Sequence, residues 1–365
     1  MTKKMTQKKG ILIVAVLLFS SIIISCLSNE NVRKTDIDIL NEFTSKNGAQ
    51  FEKFTIDASL GDTIITSKGT TLIIQPNIFT KPDGSAITGN VEIFFKEILN
   101  ASDMLLDNKP TITENGEILL SFGEFKLLAV QNNIPLILNP RTSTSNGITV
   151  FLPISKPAGV NLGDIPMWKS ATGDTIYEEK INGLDYNALD VTVSKFYKVN
   201  KGITWKQNML FGYSNSSQDT AHFILDAIGQ WRNCDVTIHL PGPKTTVLCY
   251  FGSKFNESTT ENRSGLEPSN VFFKPKDINS LVKTFNVILN PIAGKKGFYT
   301  FKNGVPIGMQ AKFIAFSIID GKYFAETKEV TFANDAGKSF MGITFNPVEV
   351  SESQLLSMIQ DLKNY

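Results

Sequence analysis

Cysteine and histidine are the scarcest reactive side chains in this 365-residue sequence, with three and two copies. Cys234 and His239 share the run Asn233-Cys234-Asp235-Val236-Thr237-Ile238-His239-Leu240. In a strand, Cys234, Val236, Ile238 and Leu240 face one side and Asp235, Thr237 and His239 the other. The apolar set belongs toward a core and the polar set toward solvent. A metal site built on Cys234 and His239 needs both on one face. Strand parity separates them, so no metal site is expected. Cys234 and Cys249 flank Pro241-Gly242. A two-residue turn there would set them directly opposite, within disulfide reach, and one further loop residue would part them. The spacing leaves a disulfide and two buried thiols as alternatives.

Other patterns fall short of chemistry. Gly337-Lys338-Ser339 ends like a phosphate loop, but that loop needs a glycine where Phe332 stands, so a hairpin turn is expected. Gly212-Tyr213-Ser214-Asn215-Ser216 lacks the last glycine of a nucleophile elbow. Two histidines give no credible Ser-His-Asp assignment, and no cofactor is expected. Carboxylate pairs of the glycosidase kind meet only in three dimensions, and no acidic cluster singles itself out. Trp168, Trp205 and Trp231 could stack on sugar rings, yet core packing is the commoner use of Trp in a sandwich, above all for Trp231.

The N-terminus carries the clearest chemistry. Lys3, Lys4, Lys8 and Lys9 form a basic start, Ile11 to Ile24 an apolar run, and Ile23-Ile24-Ser25-Cys26 follows. Fourteen helical residues span about 21 Å, against about 30 Å of hydrocarbon, too short to cross. The small residue before Cys26, with aliphatics ahead of it, resembles the bacterial lipobox. That resemblance implies a signal peptide over 1–25, cleavage before Cys26, a diacylglycerol on its sulfur and acylation of the new amine. Two or three chains there would make an effectively permanent anchor. Leu27 rather than Asp after Cys26 favours the outer membrane over the inner. The single acid in Leu27-Ser28-Asn29-Glu30 leaves periplasmic and surface-facing orientations both open. Losing the four lysines leaves 32 basic against 35 acidic side chains, so nucleic acid is not an expected partner.

Residues 26–50 are polar and read as a flexible tether, with a short helical pattern over Asp36 to Phe43. From Phe51 onward, short β-rich runs alternate with turn residues, which points to β-sandwiches. Within 51–155, Thr71-Leu72-Ile73-Ile74-Gln75-Pro76-Asn77-Ile78-Phe79, Asp83-Gly84, Thr88-Gly89-Asn90-Val91, Thr113-Glu114-Asn115-Gly116 and Phe122-Gly123 carry a resemblance. They resemble the ZU5-like sandwich modules of exported Bacteroidota proteins. Some of those cleave themselves at His-Phe-Ser. Here Ile224 follows His222-Phe223, so autoproteolysis is not implied. Trp231-Arg232-Asn233-Cys234-Asp235 also resembles a strand of uncharacterised Bacteroidota lipoproteins, with no activity attached.

The expected architecture is all-β. A ZU5-like sandwich covers 51–200, and a second sandwich covers 201–365 and ends in a helix. Ser351 with Gln354 forms a capping-box pattern, and Leu355, Ile359 and Leu362 share a helical face. The expected function is a lipid-anchored, non-catalytic binding or structural module of the cell envelope. Its expected partners are the membrane and other envelope proteins or glycans. The alternative is an envelope glycan hydrolase using loop carboxylates.

Overall fold

The computed structural model describes residues 34–113, 116–139, 147–153, 165–170, 176–179, 197–200, 205–215, 220–238, 241–260, 266–284, 286–288 and 296–365. At 165–170, 176–179, 197–200, 205–215, 220–223, 260 and 286–287 only the backbone is described. The signal-peptide reading of 1–25 and Cys26 lie outside these residues.

The strands follow from alternation. In Asn90–Ile98, Val91, Ile93 and Phe95 are buried while Glu92 and Lys96 are partly exposed. This strand sits in a long antiparallel sheet. Its order is Glu52–Asp57, Asn90–Ile98, Leu119–Gln131, Trp231–Thr237, Ile165–Ser170, Trp205–Asn215, Thr220–Leu225, Ile148–Pro153, Thr71–Ile74 and Asp62–Ile65. Val91, Ile93 and Phe95 from one arm share a core with Leu72, Ile74, Val150 and Leu152 from the other. The sheet thus folds over on itself into a sandwich.

The second sandwich has two sheets. One centres on Lys244–Phe251, which pairs antiparallel with Lys296–Tyr299 and parallel with Phe340–Phe345. The other runs Val282–Thr284, Ser269–Pro275, Gln310–Ile319, Lys322–Thr331 and Val348–Val350. Val247, Cys249, Phe251 and Phe345 meet Val271, Phe273, Phe313 and Phe332 between them. An Asp320-Gly321 turn joins two of these strands, as its sequence dictates. The fold is all-β, with the expected closing helix.

That helix is α3, Glu352–Gln360, beside α1, Asp36–Asn47, and α2, Ala101–Leu106. The Ser351 and Gln354 side chains cap α3 reciprocally, and Leu355, Ile359 and Leu362 are buried. All three helices pack on the outer face of the second sandwich, against Phe272, Ile314, Phe316 and Ile318. The structure differs here from a tether over 26–50: α1 buries Leu40 and Phe43. The Asp36 carboxylate accepts from Asn256 Nδ2 and Gly321 N, both at 2.9 Å, which fixes its first turn.

The expected partition at residue 200 also gives way. Strands from 205 to 237 complete the first sheet, while Ile112 and Ile118 enter the second core. Between those two residues Gly116 makes the turn at φ +81°, where a Cβ would collide with the Phe301 ring. The sandwiches are interleaved along the chain rather than consecutive, and residues 36–365 form one compact unit. The reason is energetic. Ile112 and Ile118 gain more by burial in the neighbouring core than either would on an exposed loop.

If α1 is part of the fold, Phe43→Ala should cost about 3–5 kcal/mol of unfolding free energy, as buried Phe truncations do. Exposed Glu42→Ala should cost under about 0.5 kcal/mol. Urea denaturation of both variants checks this, and equal, negligible effects would return α1 to the tether.

Candidate functional site

The site begins with a change of face inside Leu119–Gln131. Leu120 and Phe122 point into the first core, and so do Phe125, Leu127 and Ala129. Parity switches at Gly123. Asn233 pairs with Glu124 and Asp235 with Ser121, so Phe122 and Gly123 together oppose Cys234. This is a β-bulge, a device that re-aims neighbouring side chains. Gly123 takes φ +141°, and a Cβ there would come within 2.8 Å of Leu99 Cδ2. Glycine is therefore required. Ser121 and Glu124 both end on the face turned away from the first core, next to Asn233 and Asp235.

The second sandwich covers that face. Ser121 N donates to Asn279 O at 2.8 Å, and Asn279 Nδ2 donates to Ser121 O at 2.9 Å. Glu124, Asn233 and Asp235 are each 0% exposed. The expectation that Asp235 faces solvent fails for this reason: parity was right, but a second layer lies over the polar side.

Within the cluster, Ser121 Oγ donates to Asn233 Oδ1 at 3.1 Å, and Asn233 Nδ2 donates to Asp235 Oδ2. Burial pushes the Asp235 carboxyl well above the usual carboxylate range, against the opposing pull of hydrogen bonds from Ser121, Asn233 and the Phe122 backbone. Neither carboxylate oxygen of Glu124 has a hydrogen-bond partner. Burial first, and then the charge of Asp235, drives the Glu124 carboxyl well up. Lys109 draws it down and Asp107 adds to the rise. Glu97 provides the contrast. It is equally interior, but its two oxygens accept from the Thr66 and Thr70 hydroxyls at 2.6 and 2.5 Å.

The flanking cations are engaged. Lys96 pairs with Asp107, while Lys109 Nζ donates to Asp107 O at 2.9 Å. Both ammonium groups stand over the Trp231 ring, at 5.9 and 5.2 Å from its centroid. Trp231 is thus a cation–π platform for the chain's own lysines, not an open sugar platform. The side chains of Trp168 and Trp205, and all of His239, lie outside the described residues.

The cysteines are not bonded. Cys234 is in the first core and Cys249 in the second, both buried as free thiols. The disulfide alternative required Trp231–Thr237 and Lys244–Phe251 to pair as a hairpin. They instead join different sheets. Burial raises both thiols above the ordinary range, and the charge of Asp235 adds to this at Cys234.

Clefts open on the surface among the described residues. One of about 320 Å³ is lined by Glu117, Ile118, Ile238, Lys244 and Pro306. Another of about 280 Å³ lies between α1 and Phe51, Lys96 and Asp107. Among the described residues, no three His, Cys, Asp or Glu side chains converge. The arrangement offers a sealed carboxylate pair, not an open catalytic constellation. No protein-family model matches the chain, and a search of the curated proteins returns no match.

Two outcomes follow. Both raised carboxyls bind a proton more readily in the folded chain than in the unfolded one. Their contribution is complete below the ordinary carboxylate range and is lost as pH rises through the native values. Glu124→Gln should flatten that loss and leave the variant more stable than the parent at about pH 8. Urea midpoints across about pH 5–9 decide it, and an unchanged slope would contradict the burial account. Cys234 and Cys249 should resist iodoacetamide when folded and both react in denaturant without reductant. A requirement for reductant would reinstate the disulfide.

Proposed function

We propose that this chain is a lipid-anchored cell-envelope protein, held by acyl chains on Cys26, that acts as a non-catalytic binding or structural module at the outer membrane. The basic start, the short apolar run, Ser25 and Cys26 support the anchor. The resemblance to ZU5-like modules of exported proteins supports the setting.

The observation that carries the non-catalytic reading is the burial of the carboxylate pair and the two thiols found among the described residues. Glu124, Asp235, Cys234 and Cys249 are all 0% exposed. A glycan hydrolase needs two carboxylates open to a sugar ring, with room for water or for attack. The pair found here sits on strands under Asn279. That argues for a protein that presents surfaces to the membrane and to other envelope proteins or glycans. The nearly balanced charge gives no support to a nucleic-acid partner.

Replacing Cys26 by Ala should abolish incorporation of a clickable fatty acid and leave the precursor uncut before residue 26. Undiminished label on the Ala variant, or Met1 retained on the mature parent protein, would overturn the anchor.

A further inference from the structure

We propose that the cleft between α1 and the first sandwich binds an uncharged saccharide, with Phe51 stacked on a sugar ring. The proposal deepens the binding-module reading above and rests on it; the anchor on Cys26 plays no part.

The cleft measures about 280 Å³ and opens where elements of both sandwiches meet, a common place for ligand sites. α1 forms one wall. Its Leu40 and Phe43 are buried on the second sandwich, and Asn41 beside them is exposed. Phe51, just before the strand Glu52–Asp57, and Lys96, within Asn90–Ile98, come from the first sandwich. Asp107 and Asn108, directly after α2, complete the argument's set of lining residues with Gln50.

Charge selects the ligand first. Among the described residues lining the cleft, the ionic groups are Lys96 and Asp107, and they pair with each other. A charged ligand would have to break that pair, so an uncharged one is favoured. Hydrogen bonding selects next. The Asn41 side-chain amide is uncommitted among the described residues. Gln50 Nε2 donates to Ser45 O and Gly48 O at 3.0 and 2.8 Å, which holds the side chain against the end of α1 and leaves its carbonyl oxygen to accept. Asn108 is 6% exposed, and its Oδ1 accepts from Lys283 Nζ at 3.2 Å while Nδ2 has no partner. An orphaned buried donor is costly, and a ligand hydroxyl seated against Asn108 would answer it. Hydroxyl groups, which both donate and accept, match this mixed set. The aromatic selects last. Lys96 Nζ stands over one face of the Phe51 ring, 5.9 Å from its centroid, yet Phe51 is 42% exposed. The face turned from Lys96 suits the C–H face of a sugar ring. A wholly apolar ligand would leave the amides unpaired.

Saturation-transfer NMR of the full chain with lactose, cellobiose, maltose and chitobiose, each titrated alone, tests this. At least one should show saturable transfer to its ring protons. Phe51→Ala should weaken that sugar about fivefold, as loss of a stacked aromatic does. Asn41→Ala should weaken it by a similar factor, the worth of about one hydrogen bond. Both positions are exposed, so the variants should fold. Ile65→Ala, at an exposed position on another strand of the first sandwich, should change nothing. Digalacturonate should bind more weakly than the neutral sugar. No saturable transfer to any of the four sugars, full affinity in Phe51→Ala, or tighter binding of the acid would overturn the proposal. Release of monosaccharide in the same samples would instead contradict the non-catalytic reading, with the cleft still the binding site.

Discussion

The structure depends on one constraint: neither sandwich can cover its own outer face. The first sheet turns Ser121, Glu124, Asn233 and Asp235 away from its core. The second sandwich presents Phe272, Ile314, Phe316 and Ile318 on the side opposite its core. Exposing those four apolar side chains would forfeit roughly 1.5–3 kcal/mol each. Burying the acidic cluster runs against the fold. The seam resolves both, since the helices close the apolar part while the segment at 279–281 closes the polar part.

Specific hydrogen bonds hold that closure in register. Thr111 N donates to Leu281 O, and Leu281 N returns a bond to Thr111 Oγ1, each at 2.8 Å. The Ser102 hydroxyl donates to Ile359 O at 2.8 Å, joining α2 to the end of α3. A lost partner in this dry setting leaves a polar group unsatisfied, at a cost of about 1–3 kcal/mol. Such bonds fix one docking geometry, while the apolar cluster supplies most of the driving force. Interleaving strengthens the effect, because the 107–121 segment belongs to the first sheet at one end and to the second core in its middle.

Local patterns were legible in the sequence, and long-range placement was not. Alternation gave the strands, and Ser351 with Gln354 gave the cap of α3. Each of these depends on neighbours within a few residues. The parity at Cys234 and Asp235 was also readable, but not what would lie over Asp235. The bulge was the hidden step at Glu124. An uninterrupted alternation through Phe122-Gly123-Glu124-Phe125 places Glu124 with the core residues, and only the inserted residue moves it to the seam. Glycine inside the strand, directly after Phe122, was the available signal. The cysteine pair misled because Pro241-Gly242 is good turn chemistry, yet the flanking strands belong to different sheets. Leu40 and Phe43 of α1 gave a weak helical pattern, which the composition of a polar N-terminal stretch outweighed.

The central claim is that the seam makes residues 36–365 one cooperative unit although they contain two cores. Scanning calorimetry of the chain tests it most directly. A single transition is predicted, with the calorimetric enthalpy equal to the van't Hoff enthalpy. Two resolved transitions, or a calorimetric enthalpy well above the van't Hoff value, would show the sandwiches melting separately and would contradict the account.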